Sequence, residues 1–220
     1  MTIELKKRIF TSLILILLLT GMYLYTYIMI PSLLVIGIIA WIEFYALISK
    51  ILIQKKNANK FLLFFYKALS LIFLSTLIFL IILIESYYLD LKIYLLYSLL
   101  VAILSDIGGL VFGKTFKGKK LTKISPNKTI SGSIGSIVFS LILIPLFYNN
   151  MINFDSIMLV FITIIISITS QLGDLFISYL KRKAKVKNTS DILPGHGGIL
   201  DRIDGIIFAI PMGVFLFNNL

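Results

Sequence analysis

Long apolar stretches alternate with short polar loops along almost the whole chain of 220 residues. A helix that crosses the hydrocarbon core of a bilayer needs roughly 20 consecutive, mostly apolar residues. Stretches near that length predict seven spanning helices, at about residues 9-25, 27-48, 61-84, 92-113, 132-148, 156-177 and 200-217. The pattern therefore predicts an all-α, polytopic integral membrane protein with about seven transmembrane helices.

Composition agrees with this prediction. Hydrophobic residues make up 59% of the chain and charged residues 14%, and the mean hydropathy is +1.01. Such values exclude an ordinary soluble domain. Because the chain has no cysteine, disulfides and thiolate metal sites are excluded as well. Basic residues at 6–8 resemble the start of a signal peptide, but no small-residue cleavage site follows, so we expect an uncleaved first helix.

The net charge of +11 comes from lysines and arginines in the loops between the apolar stretches. Basic residues cluster in alternate loops, at 6–8, 50–60, 114–128 and 181–187. The intervening loops carry a single lysine, Lys92, beside acidic residues. This one-sided distribution follows the positive-inside rule, which explains the charge better than nucleic-acid binding does. We therefore expect a cytoplasmic amino terminus, an external carboxyl terminus and no nucleic-acid partner.

A polar segment at residues 193–204 combines residue types that membrane packing does not require. It contains Gly195, His196, Gly197, Gly198, Asp201, Arg202 and Asp204. The glycines permit positive φ angles, so that successive N–H groups can point at an anion. The two carboxylates are expected on one helical face, as an i, i+3 pair. These features predict a phosphate and metal site, whereas the simpler alternative is a helix cap that contributes about 0.3–1 kcal/mol.

Other ionisable residues lie near the ends of predicted spans on the same membrane face. Asp106 belongs to the fourth span, and Asp174, Ser178 and Lys181 follow an i, i+4, i+7 pattern at the end of the sixth. Ionisable groups at the edge of a span are unfavourable, so a pocket or a bound ion is the default expectation.

Two features have simpler structural interpretations. Gly109 and Gly113 form a pair of small residues four apart, which is more typical of close helix packing than of catalysis. Glu43 lies between Trp41 and Tyr45, and we interpret it as a snorkelling or paired carboxylate in an interfacial aromatic belt.

The basic loop at 114–128 is either an orientation signal that attracts anionic lipid or a phosphate-binding element. The second interpretation is favoured by a polar turn that contains Ser125, Asn127, Lys128 and Thr129. This turn precedes the amino terminus of a predicted helix, which favours phosphate. The loop at 181–187 has the same ambiguity, and its best-placed ligand contacts are Lys181 and Arg182.

A larger pattern emerges when these segments are combined. It comprises Ser178, Leu180, Lys181, Arg182, Lys187 and residues 193–204, supported by residues 124–129, Gly132, residues 171–175 and Asp106. This pattern resembles the signature of the phosphatidate cytidylyltransferases, also called CDP-diacylglycerol synthases. The resemblance implies transfer of CMP from CTP to phosphatidic acid, which gives CDP-diacylglycerol and pyrophosphate in phospholipid biosynthesis.

The resemblance and the residue types together assign roles. The catalytic candidates are Asp174, His196, Asp201, Arg202 and Asp204. The substrate-binding candidates are Asp106, Ser125, Asn127, Lys128, Thr129, Ser178, Lys181, Arg182, Lys187, Gly197 and Gly198. The three aspartates of the catalytic set offer the oxygen ligands that Mg²⁺ prefers, with a second cation left open.

The resemblance also implies an organisation and a location. We expect amino-terminal transmembrane helices at 1-90 and a catalytic transmembrane region at 91-220, with cytoplasmic loops at 114-131 and 181-199. The expected partners are CTP, phosphatidic acid and membrane lipids, and a homodimer is left open. The expected location is a bacterial inner membrane, crossed several times, with the active site facing the cytoplasm.

The chain departs from the family pattern at several positions. Asn188, Ile177, Ser131 and Gly109 stand where the family usually has other residues. The chain is also short for the family, so we expect it to lack amino-terminal span material. Two rival functions stay open, a CTP-dependent lipid kinase and, outside the enzymes, a membrane transporter.

The one-sided basic loops generate a prediction on topology. Because the chain has no cysteine, single cysteines can be introduced at Asn57, Lys119, Asn188 and Asn149. The first three should react with a thiol reagent confined to the cytoplasmic side, and the fourth should not. Labelling of position 149 from the cytoplasm would contradict the predicted alternation of the loops.

Overall fold

A computed structural model of the chain describes residues 3–53, 60–88, 91–122, 124–126, 128–151 and 154–220, with side chains from Leu5 onward. The elements of these described residues are α1 (Ile3–Leu24), α2 (Thr26–Ile53), α3 (Lys60–Tyr87), α4 (Lys92–Thr115), α5 (Ile130–Leu141), α6 (Leu143–Phe147), a 3₁₀ turn (Tyr148–Asn150), α7 (Ser156–Lys183), α8 (Leu200–Ile203) and α9 (Ile206–Asn219). The predicted all-α class is confirmed.

Six helical segments of the described residues are long and apolar enough to cross a membrane. They are Leu5–Leu24, Thr26–Ile53, Lys60–Tyr87, Lys92–Thr115, Ile130–Asn150 and Ser156–Lys183. Each coincides with one of the first six predicted spans. The protein is therefore a polytopic, all-α membrane protein, as the apolar pattern predicts.

The seventh predicted span, at 200-217, differs from the prediction. It is divided into α8 and the 14-residue α9 by a turn at Asp204 and Gly205. The carboxylate of Asp204 accepts a hydrogen bond from the N–H of Gly205 at 3.0 Å, and such local side-chain bonds compete with helix continuation. At 1.5 Å per residue α9 is about 21 Å long, which is shorter than the roughly 30 Å of the hydrocarbon core.

The chain folds into two compact units. Unit 1 comprises Met1–Ser86 and Leu180–Ile203, and unit 2 comprises Tyr87–Tyr179 and Asp204–Leu220. The loop at 181–199, which we expect within the carboxyl-terminal region, belongs in the structure to the same unit as the amino-terminal helices.

Unit 2 depends on close packing between α4 and α5. A Cβ atom added to Gly108 would lie 2.6 Å from Cβ of Phe139, and one added to Gly132 would lie 2.8 Å from the carbonyl oxygen of Gly109. Such short distances leave no room for a side chain, which is the reason that small residues are common where membrane helices meet. The packing interpretation of Gly109 and Gly113 is confirmed, because both face α5.

Unit 1 places the middle of α2 against α3 and against the segment that follows α7. Lys67 lies over the ring of Tyr45, with its Nζ 3.2 Å from the ring centroid, in a cation–π contact. On another face of α2, Ala40, Glu43 and Leu47 are all buried. Their spacing of three and four residues puts them on one helical face, so the buried face of α2 carries a carboxylate.

Candidate active site

The turn at residues 193–197 is closed by backbone hydrogen bonds. The N–H groups of His196 and Gly197 donate to the carbonyl oxygen of Leu193 at 2.9 and 3.1 Å, and the N–H of Leu193 donates to the carbonyl of Gly197 at 2.8 Å. Gly195 and Gly197 have φ angles of +75° and +84°. Other residues rarely adopt these angles, so the expected positive φ is confirmed for two of the three glycines of the segment, and Gly198 does not adopt it.

Glu43 is the anchor of this turn. Its side chain is only 2% exposed, yet each of its carboxylate oxygens accepts two hydrogen bonds. Oε1 accepts from the hydroxyl of Ser190 at 2.6 Å and from the N–H of Ile199 at 3.1 Å. Oε2 accepts from the hydroxyl of Thr189 and from the N–H of Leu200, both at 2.8 Å. The snorkelling alternative for Glu43 is therefore wrong, because its carboxylate is bound inside the protein by hydroxyls and N–H groups.

Gly198 fits closely against this anchor. A Cβ atom at this position would lie 2.5 and 2.7 Å from the two carboxylate oxygens of Glu43. Contacts this short require the neighbouring group to move. Gly198 is thus needed for the approach of the loop to α2.

Asp201 is a second internal anion in unit 1. Its Oδ1 accepts a hydrogen bond from Nζ of Lys181 at 2.7 Å, in an ion pair with little exposure. Its Oδ2 accepts from the N–H groups of Thr189 at 2.9 Å and Gly198 at 3.0 Å. Burial alone would raise the pKa of Asp201, but Lys181 and the two N–H groups more than offset it, so the pKa is lower than usual. The carboxylate is therefore ionised at neutral pH.

These contacts change the interpretation of the glycine segment. Sequence analysis assigns its successive N–H groups to an anionic ligand, but in the structure those of residues 198–200 point at the carboxylates of Asp201 and Glu43. The anions that the segment surrounds are therefore the protein's own. The contact of Glu43 with Thr189 and Ser190 was not predicted from the sequence. A carboxylate within an apolar helix signals that polar partners are needed, and two adjacent hydroxyl residues can supply them.

A separate cluster in unit 2 surrounds Asp174. Its carboxylate forms an ion pair with Lys128, and it accepts a hydrogen bond from the hydroxyl of Ser178 at 3.2 Å. Gly173 packs closely against the backbone of Asp204, because an added Cβ would lie 2.7 Å from the Asp204 carbonyl oxygen. The Asp204 side chain is itself buried. Within unit 2, the structure thus brings together four of the predicted residues.

The remaining candidates have varied environments. Thr129 caps α5 and accepts a hydrogen bond from the N–H of Gly132 at 3.0 Å. The carbonyl of Ser125 accepts from the N–H of Lys128 in the preceding turn. Asp106 lies inside α4, and its side chain is exposed, as are Arg182 and Lys187. Asn127 lies outside the described residues.

His196 and Arg202 belong to the turn itself. Nε and a terminal nitrogen of Arg202 donate to the carbonyl oxygen of His196 at 3.1 and 2.7 Å. The His196 Nε2 lies 3.3 Å from the hydroxyl of Ser12. Its Nδ1 is buried, and it has no hydrogen-bond partner among the residues that the structure describes.

The carboxylates can be tested against the needs of Mg²⁺. No group of three or more His, Asp or Glu side chains in the described part of the chain is arranged to hold a metal ion. Mg²⁺ is often held by only one or two carboxylates, together with substrate phosphates and water. All three proposed ligands already accept hydrogen bonds, at both oxygens of Asp174, both oxygens of Asp201 and Oδ1 of Asp204. Asp174 and Asp204 belong to the same unit. Magnesium binding stays a prediction.

A cavity of about 720 Å³ opens beside the turn in unit 1. The cavity is lined by His196 of the turn and by Lys187 and Arg202, which lie before and after the turn. Its volume lies within the usual range for small-molecule sites, which is about 300–1,000 Å³. It is therefore large enough for a phosphate-bearing ligand.

Comparison with known proteins gives consistent results. The cytidylyltransferase family matches residues 2–220 of the chain. A phosphatidate cytidylyltransferase of Staphylococcus haemolyticus is 48% identical over 122 residues, which are 54% of this chain and 46% of that protein. Proteins of the same name from Staphylococcus aureus (strain COL) and Rickettsia bellii are 46% identical over 121 residues and 45% identical over 123 residues. These two matches cover 54% and 52% of this chain, and 46% and 53% of the relatives. The chain spans about half the length of the curated relatives it matches.

The anchoring role of Glu43 generates a prediction. Glu43→Ala leaves three donors without an acceptor, the hydroxyl of Ser190 and the N–H groups of Ile199 and Leu200, because the Thr189 hydroxyl also lies 3.1 Å from Oδ2 of Asp201. Each unsatisfied buried donor is unfavourable by about 1–3 kcal/mol. We expect a loss of stability of about 3 kcal/mol or more. Thermal unfolding in detergent measures this loss, and hydrogen exchange should show faster exchange at the amides of Ile199 and Leu200. The matched control is Glu85→Ala, because Glu85 accepts an exposed hydrogen bond from Thr26. Unchanged protection of both amides in Glu43→Ala would contradict the anchoring role.

Proposed function

The chain belongs to the cytidylyltransferase family, and on this premise we propose that it transfers CMP from CTP to phosphatidic acid, giving CDP-diacylglycerol and pyrophosphate. The geometry that carries the proposal is the cavity beside the anchored turn in a membrane protein, lined by Lys187, Arg202 and His196. The curated relatives are named phosphatidate cytidylyltransferase, and the match to this chain covers about half of their length. The product would serve phospholipid biosynthesis.

The proposed chemistry needs orientation and charge neutralisation more than a covalent catalyst. A phosphate oxygen of phosphatidic acid attacks the α-phosphorus of CTP, and the bond from that phosphorus to the oxygen bridging to the β-phosphate breaks. Pyrophosphate leaves with the electron pair of that bond. Because the attacking phosphate is already anionic, a general base is not required. Cationic side chains lower the energy of the charge that develops on the leaving pyrophosphate.

The residues of the chain have distinct roles in this proposal. Lys187 and Arg202 line the cavity and would bind phosphate. Arg202 also holds the carbonyl of His196, so the turn and the cation are oriented together. Asp201 would act mainly by fixing Lys181 and the backbone of residues 189–198.

Mg²⁺ would be held by Asp174 and Asp204, the two predicted ligands that belong to unit 2. When bound, the ion supplies charge neutralisation for the triphosphate. The ion pair with Lys128 orients the carboxylate of Asp174.

We also propose a location for this reaction. The basic loops and the amino terminus face the cytoplasm of a bacterial cell, and the helices lie in its inner membrane. CTP then arrives from the cytoplasm, and phosphatidic acid enters from the membrane.

The purified chain, CTP, phosphatidic acid and Mg²⁺ provide a direct test. CTP labelled on the α-phosphate should transfer its label to the lipid, whereas CTP labelled on the γ-phosphate should not. Transfer of the γ-label would instead identify a lipid kinase. Absence of transfer from either position, with a folded protein, would overturn the proposed reaction.

Replacement of the proposed ligands generates a further prediction. Asp174→Asn and Asp204→Asn remove charge but keep the size of the side chain, so we expect turnover to fall roughly 100-fold or more. Turnover over a Mg²⁺ titration, with thermal unfolding of the same variants, measures the effect. Asp155→Asn is the control, because Asp155 is exposed and precedes α7. Near-normal turnover of both variants at limiting Mg²⁺ would argue against their role as ligands.

A further inference from the structure

The first helix contributes two basic side chains to the cavity in unit 1. Lys7 and Arg8 line this cavity together with Lys187 and Arg202, which flank the turn at residues 193–197. Among the described residues that line the cavity, Asp191 is the one carboxylate. The described lining thus has four cationic side chains and one anionic side chain.

Specific contacts hold α1 against the turn, one helical turn beyond this basic pair. The hydroxyl of Thr11 lies 2.9 Å from the carbonyl oxygen of Pro194, and it is buried. The hydroxyl of Ser12 lies 3.3 Å from Nε2 of His196. Residues 7 and 8 lie four positions before these contacts, so they are on the same face of α1. The helix is thus docked with its basic side chains toward the cavity.

Arg8 also packs directly on the turn. A Cβ atom at Gly195 would lie 2.9 Å from Cγ of Arg8 and 3.5 Å from its backbone nitrogen. The stem of Arg8 therefore occupies the space that a side chain at position 195 would need. An orientation signal does not require this contact, because the positive-inside rule depends on charge and not on side-chain packing.

The charges of the cavity are suited to an anion. Among the described residues, no ion pair involves Lys7, Arg8 or Lys187. Like charges around one cavity repel each other, and a multivalent anion relieves that repulsion. Arginine is suited to phosphate in particular, because its planar guanidinium group donates two parallel hydrogen bonds.

We infer that Lys7 and Arg8 of α1 bind a phosphate ester in this cavity, together with Lys187 and Arg202. The inference rests on the proposed function, which supplies two ligands with this chemistry, the triphosphate of CTP and the phosphate of phosphatidic acid. The inference assigns a binding role to two basic residues at the beginning of α1, which the positive-inside rule alone would explain as an orientation signal.

Equilibrium binding to the full chain in detergent tests the inference without any need for turnover. The variants are Arg8→Gln and Lys7→Gln, and the matched control is Lys6→Gln, which makes the same charge change beside the cavity without lining it. The probes are CTP, inorganic pyrophosphate and a fluorescent phosphatidic acid in micelles. We expect binding of one class of probe to weaken about tenfold in both variants, as for the loss of a charged hydrogen bond.

The probes distinguish the two sources of phosphate. Weaker binding of CTP and pyrophosphate assigns the cavity to the nucleotide, and weaker binding of the lipid assigns it to the phosphatidic acid. Arg8→Lys keeps the charge but loses the planar fork, so it should bind with intermediate affinity, and it covers the case in which Arg8→Gln does not fold.

The inference is overturned if the Lys7 and Arg8 variants bind all three probes as Lys6→Gln does. Failure of the proposed function is a separate outcome. If the wild-type chain transfers no CMP but the variants lose affinity for a probe, the binding site stands and the reaction does not.

Discussion

The carboxylate of Glu43 imposes the constraint on which the loop of unit 1 depends. A buried carboxylate is unfavourable unless hydrogen bonds satisfy its oxygens. The four donors of Glu43 come from two short pieces of one segment, Thr189 and Ser190 before the turn and Ile199 and Leu200 after it. Both pieces must therefore reach α2 together, which closes the intervening chain into a loop. The turn, the close fit of Gly198 and the position of Asp201 follow from that closure.

Unit 1 separates its charges in a consistent way. Its buried anions, Glu43 and Asp201, are satisfied by backbone N–H groups and hydroxyls, and only Asp201 also takes up a lysine. Because so few cations are used internally, Lys7, Arg8 and Lys187 keep their charge available at the cavity. The protein's own carboxylates thus accept hydrogen bonds mainly from backbone N–H groups and hydroxyls, whereas the cationic side chains at the cavity are left to bind an anionic ligand. This division of donors suits a site that must stay folded with or without its ligand.

The local parts of this arrangement were predictable from the sequence. Runs of apolar residues predicted seven spans, of which the first six coincide with long helices, and the glycines of residues 193–198 predicted a turn with positive φ. Both patterns depend on neighbouring residues. The break at Asp204 was missed because the apolar pattern continues on both sides of it, and the hydrogen bond between the Asp204 carboxylate and the N–H of Gly205 leaves no mark in that pattern. The role of Glu43 was missed for a different reason. Its partners lie 146 to 157 residues further along the chain, and hydrophobic periodicity carries no information over that distance.

The same separation in sequence affects how the protein is made. Synthesis proceeds from the amino terminus, so Glu43 enters the membrane long before Thr189 and Leu200 exist. Until they are made, α2 carries a carboxylate without its donors, and such a group is unfavourable on an apolar helix. Unit 1 is therefore completed only when Leu180–Ile203 has been synthesised, although its three long helices are the first to emerge. A chain that ends before Thr189 would lack all four donors to Glu43, so its α2 would keep a carboxylate without these partners.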